Sequence, residues 1–144
     1  MKNLLGTALV AATMLATVPA QAASFSGTVA VTLHVYIVSS FPAGSTLTCQ
    51  IDLSGSDVTN TTAPVLATDS RSAVVPISGS PTVCAVNVPY YWANFQSTDN
   101  MAISYTLTVL EPGATVTRIS SQTVATITIP ANYAYTPYYI SAAL

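Results

Sequence analysis

Apolar residues fall on every second position through most of this chain, and that period selects strands over helices. From Thr28 to Val38, Val29, Val31, Leu33, Val35 and Ile37 alternate with Thr28, Ala30, Thr32, His34 and Tyr36, which predicts a strand with one buried face. A turn at Phe41-Pro42-Ala43-Gly44 follows, and Leu47, Cys49, Ile51 and Leu53 then mark a second strand. Ala73, Val75 and Ile77 mark a third, ended by Ser78-Gly79-Ser80-Pro81. Cys84, Val86 and Val88 form the inward face of a fourth, and Ile103, Tyr105, Leu107 and Val109 that of a fifth, closed by Glu111-Pro112-Gly113. Val116 and Arg118 fall on a sixth strand or its edge, and Ala125, Ile127 and Ile129 on a last one ended by Pro130. After residue 22 no segment shows the i, i+3, i+4 apolar stripe of an amphipathic helix, and β-branched residues dominate the patterned segments.

Between these segments, Ser54 to Ser70 is polar, Thr-rich and contains Pro64, so it reads as a long connection with a short edge strand near Val65-Leu66. Tyr90 to Asn100 reads as an aromatic loop, and the tyrosines around Pro137 as a tail running to Leu144. About seven strands with turns between them predict an all-β sandwich or small barrel. The expectation is an immunoglobulin-like β-sandwich, a single domain over 23–144, because a cysteine pair on inward strand faces with a Trp nearby suits two sheets packed face to face.

Residues 1–22 carry Lys2, an apolar stretch from Leu4 to Val18, and Pro19 before Ala20-Gln21-Ala22, the small-x-small pattern of a cleaved signal peptide. The apolar run is about 15 residues, short of the roughly 20 a spanning helix needs, and no later stretch is both long and apolar enough to span. The expected product starts at Ala23 and is secreted, periplasmic or held at the cell surface. Export makes Cys49 and Cys84 a disulfide rather than a thiol pair, and their spacing is not that of a Cys-x-x-Cys redox motif.

Charge narrows the partners. Only 6% of residues are charged, and without Lys2 the basic side chains are Arg71 and Arg118. Two arginines form no basic track, so nucleic acid is not an expected partner, and anionic membrane surfaces are disfavoured for the same reason.

Catalytic chemistry has little to start from. His34 is the sole histidine and falls on the outward side of the first strand, so a His-based triad and a multi-histidine metal site are excluded by count. Asp52, Asp57, Asp69, Asp99 and Glu111 make a two-carboxylate site arithmetically possible, with Asp52, Asp57 and Asp99 the candidates for a small enzyme or inhibitor. They come without a recognisable constellation, and the expectation is no enzyme, no cofactor and no metal. Asp52-Leu53-Ser54-Gly55-Ser56-Asp57 with Asn60 gathers oxygen ligands as a calcium loop does, but lacks the EF-hand order and the closing Glu. Asn60-Thr61-Thr62 is a glycosylation sequon, relevant to a eukaryotic source.

Two features bear on binding. Tyr90, Tyr91, Trp92 and Phe95, with Tyr133 and Tyr135, are a candidate platform on which sugars or a partner protein stack if exposed, or a plug for the end of the sandwich if buried. The segment Val29, Val31, Leu33, Val35 and Ile37 is a candidate assembly strand, since an alternating strand beside the mature N-terminus is what donation to a neighbouring subunit needs; the alternative is pairing within its own domain.

With its leader, alternating N-terminal segment, Cys49–Cys84 pair and all-β body, the chain resembles in organisation the subunits of chaperone–usher pili. The resemblance does not extend to motif. Those subunits carry the first cysteine on the opening strand of the body and end in a strand with a penultimate Tyr, whereas this chain ends Ile140-Ser141-Ala142-Ala143-Leu144. The functional expectation is an exported, non-enzymatic structural or adhesive protein acting through protein–protein contacts, including self-association, as in a pilus-like or fibre subunit. The alternative is a small carbohydrate-binding module using its exposed aromatic side chains.

Overall fold

The computed structural model describes residues 23–56, 65–114 and 118–144. The leader, Asp57, Asn60, Pro64 and Val116 lie outside them. Seven strands are present: β1 (Ala23–Tyr36), β2 (Thr46–Ser56), β3 (Val65–Pro76), β4 (Thr82–Phe95), β5 (Asn100–Leu110), β6 (Arg118–Thr128) and β7 (Ala134–Ala143). They form two sheets: sheet A in the order β4-β1-β7 and sheet B in the order β3-β2-β5-β6. The pairings are antiparallel except that of β1 with β7, which is parallel. Among the described residues there is no helix, and so none long and apolar enough to cross a membrane.

The inward faces of the two sheets share one cluster of buried side chains, a sandwich-like arrangement. Val29, Val31, Leu33 and Val35 of β1 face Leu47, Cys49, Ile51 and Leu53 of β2 and the alternating apolar residues of β5 across it. Cys49 and Cys84 are disulfide-bonded, so the bridge joins β2, an interior strand of sheet B, to β4, an outer strand of sheet A. The turns follow their residues. Glu111-Pro112-Gly113-Ala114 is closed by the Ala114 N–H on the Glu111 carbonyl at 3.0 Å, with Gly113 at φ 80°. Gly44 does the same at φ 88° beside Pro42.

Five segments differ from the sequence expectation. β3 is a continuous strand from Val65, where a polar connection was expected to reach Ser70. The expected aromatic loop is strand as far as Phe95, because the alternation of Val86 and Val88 continues through Tyr90 and Trp92. The expected tail is β7, with Tyr138, Ile140 and Ala142 turned inward. β6 is one strand broken in phase: Ile103 pairs with Ala125 and Ser104 with Thr123, so Val124 is a bulge that hides the period. Pro89 and Pro137, which argue against strand in the bare sequence, lie on outer strands of sheet A, where a proline nitrogen facing outward removes no ladder bond. The first strand also ends at Tyr36, which leaves Ile37 of the candidate assembly set in the following loop, its N–H donated to Ser80 Oγ at 3.0 Å.

Candidate functional site

Strand parity divides the aromatic candidates. Tyr90, Trp92 and Phe95 are buried and do not form a surface platform; Tyr91, Tyr133 and Tyr135 are exposed. Tyr90 and Trp92 share the parity of Val86 and Val88. Phe95 returns to the interior because β4 gains one residue there: Phe25 pairs with Trp92 but Ala23 with Phe95, and Asn94 takes up the extra residue at φ 67°. The buried trio packs in sequence, with ring centroids 5.3 Å apart for Tyr90–Trp92 and 5.5 Å for Trp92–Phe95. These rings plug one end of the core, and the Trp92 indole donates to Asp69 Oδ2 of β3 at 2.7 Å.

The exposed tyrosines assemble on the outer face of sheet A, joined there by Tyr139, another of the tyrosines around Pro137. The register sets Pro89, Thr28 and Tyr135 in one row across the sheet, then Asn87, Ala30 and Pro137, then Ala85, Thr32 and Tyr139, then Val83, His34 and Ser141. Tyr135 and Tyr139 therefore project from the same side of β7 about 13 Å apart, with Pro137 between them. They are 67% and 75% exposed, and Tyr91 on β4 is 71% exposed. β1, β4 and β7 contain no Asp, Glu, Lys or Arg, so among the described residues of these strands His34 is the only titratable side chain besides tyrosine on this face.

Tyr133 completes the row at a cost. Its backbone sits at φ 63°, a left-handed conformation that a bulky side chain occupies only when its surroundings hold it there, and its ring is 85% exposed. The surroundings are on β1: the Tyr133 N–H donates to the Ser26 carbonyl at 2.6 Å, and Asn132 Oδ1 accepts from Ser26 N–H and Oγ at 2.9 and 2.8 Å. Ser26 pairs on its other side with Tyr91. Tyr91 and Tyr133 thus flank Ser26 at the head of the tyrosine face. Parity relative to the buried Val88 and Ile140 is the signal by which this face is readable from sequence.

No family model, curated protein or solved structure matches the chain.

The remaining candidates are dispersed. Asp52, Ser54 and Ser56 lie within β2 rather than on a loop, so the described part of the candidate calcium loop is strand. Asp52 accepts from Gln50 Nε2 at 2.8 Å on the outer face of sheet B. Asp99 is buried in the loop after β4, where its carboxylate accepts the Gln96 N–H at 2.7 Å. Among the described residues no three His, Cys, Asp or Glu side chains come together as a metal site would need. The outer face of sheet B is instead a field of hydroxyls, with Thr48, Ser54, Ser104, Thr106, Ser121 and Thr123 on its solvent side. An open depression of about 370 Å³ lies there against Asp52, Ser104, Thr106, Ser121 and Thr123.

Proposed function

We propose that the chain is an exported, non-enzymatic structural or adhesive surface protein, built as an immunoglobulin-like sandwich and acting through protein–protein contacts with further copies of itself, as a fibre subunit does. The observation that carries this reading is the tyrosine face of sheet A. Tyr91, Tyr133, Tyr135 and Tyr139 stand exposed on a sheet whose strands hold no Asp, Glu, Lys or Arg, and one of them is held there on a strained backbone. Tyrosine supplies large contact area with little side-chain entropy to lose, and uncharged surroundings reduce the desolvation cost of closing an interface. The leader pattern in residues 1–22 and the Cys49–Cys84 bridge suit export to an oxidising compartment.

β1 supports the same reading. It is the first strand of the body, it lies between β4 and β7, and Val29, Val31, Leu33 and Val35 on it are fully enclosed. Here it pairs within its own chain. Exchange between copies, if assembly uses it, would draw on this strand, since its removal leaves β4 and β7 without a sheet partner.

The test is a triple substitution, Tyr91→Ser with Tyr135→Ser and Tyr139→Ser, at exposed positions where each change is expected to move stability by only about 0.5 kcal/mol. Growth beyond small oligomers is expected to stop while the fold persists. A second reading, a carbohydrate-binding module, draws on the line Tyr135, Pro137 and Tyr139, whose spacing on one strand suits a neutral linear polysaccharide. Retention on insoluble polysaccharides that the same triple variant loses would favour it; with Trp92 buried, Trp92→Ala no longer serves as that test.

A further inference from the structure

The outer strands of the two sheets are not equally defended. Unpaired strand edges template further pairing, and proline, charge or cover normally blunts them. β3 carries Asp69, Arg71 and Pro76, β4 carries Pro89, and β7 carries Pro137. β6 contains no proline and, after Arg118 at its start, no charged residue as far as Thr128. Among the described residues it is hydrogen-bonded as a strand on the β5 side alone. The segment Ile119–Thr123 keeps regular register against Thr108–Ser104, and the Val124 bulge ends that regularity. Ile119 within it is 63% exposed, a large apolar side chain on the same outer face as the Ser121 and Thr123 hydroxyls.

From this we infer that the free edge of β6 is a docking edge for a second copy of this chain, paired antiparallel with the partner's β6 about a two-fold axis at Ser121. An identical partner fits because the segment is uncharged, so two copies meet without repulsion, and because two-fold pairing places the same residues on both sides. Centred on Ser121, the pairing sets Ser121 opposite the partner's Ser121 and Ile119 opposite the partner's Thr123. That arrangement covers the exposed isoleucine with a threonine methyl and joins the two B sheets edge to edge. The bulge limits the ladder to this short run, so the contact is a reversible dimer rather than a growing fibre, and it is independent of the tyrosine face on sheet A.

The experiment uses the purified protein in the Tyr91→Ser, Tyr135→Ser, Tyr139→Ser background, so that only the β6 contact is read. Ser121→Lys and Ser121→Glu are made separately; Ser121 is exposed, and circular dichroism with urea unfolding checks that each variant folds. Mass is followed by sedimentation over a dilution series. The background protein is expected to dimerise, each charge variant to dimerise roughly tenfold more weakly or worse, and an equimolar mixture of the Lys and Glu variants to regain the dimer. A background protein that stays monomeric, charge variants that dimerise as the background does, or a mixture that stays monomeric would each overturn the inference.

Discussion

The Trp92 indole N–H donates to the Asp69 carboxylate at 2.7 Å, and this bond ties an outer strand of sheet A to an outer strand of sheet B at the aromatic end of the core. With the Cys49–Cys84 bridge it closes the β3/β4 side of the molecule. Asp69→Ala leaves the indole donor without its acceptor and is expected to cost about 1.5 to 3 kcal/mol, as hydrogen bonds to charged groups do. Asp69→Asn keeps an acceptor oxygen and is expected to cost less. Urea unfolding followed by fluorescence checks both, since Trp92 is the sole tryptophan.

Gly55 is required by the same aromatic plug. A Cβ there would stand 2.7 Å from Phe95 Cζ and 2.9 Å from Trp92 Cε3, both ring atoms of buried side chains. Gly55→Ala is expected to destabilise by about 1 to 3 kcal/mol through overpacking. Gly79→Ala, where a Cβ meets nothing within 4 Å, is the control, and its midpoint in urea should stay close to that of the parent.

The contrast between β5 and β7 explains what the bare sequence reveals. Ile103, Tyr105, Leu107 and Val109 alternate without interruption, and the strand follows directly from the period. In β7 the same alternation, through Tyr138, Ile140 and Ala142, is obscured by Pro137, whose tolerance depends on β7 being an outer strand, a tertiary fact. Pro89 hides the continuation of β4 in the same way, and the Val124 bulge splits β6 into two apparent segments. Within the candidate assembly segment Val29 to Ile37, the part as far as Val35 is visible as a strand, but its position between β4 and β7 depends on long-range parallel pairing that local pattern does not encode. For the tyrosines the parity was present in the sequence, and it separates Tyr91 from Tyr90 once β4 is extended.

Tyr90 makes stability depend on alkaline pH. Its hydroxyl is buried beside Gly27 with no hydrogen-bond partner among the described residues, and burial raises its pKa above the ordinary 10.0. The folded chain therefore holds the proton at a pH where the unfolded chain has released it, so this contribution to stability is present below pH 10.0 and is lost as pH rises through the raised folded value. Tyr90→Phe removes both the unpartnered hydroxyl and the titration. It is expected to be at least as stable as the parent at neutral pH, with a shallower loss above pH 10.0, read from urea midpoints across a pH series.

The Cys49–Cys84 bridge closes a loop spanning 35 residues. On the chain-entropy account its removal costs about 3 to 4 kcal/mol, a large share of the stability of a small domain. Replacing both cysteines with alanine should lower the urea midpoint accordingly, while far-ultraviolet circular dichroism under native conditions retains its β signature.

The most direct test of an assembly role is the mass of the purified protein by sedimentation over a wide concentration series, for the parent and for the Tyr91→Ser, Tyr135→Ser, Tyr139→Ser variant. The expected result is a parent whose mass climbs past the dimer with concentration and a variant that does not. A parent that never exceeds the dimer, or a variant that climbs as the parent does, would contradict assembly through the tyrosine face.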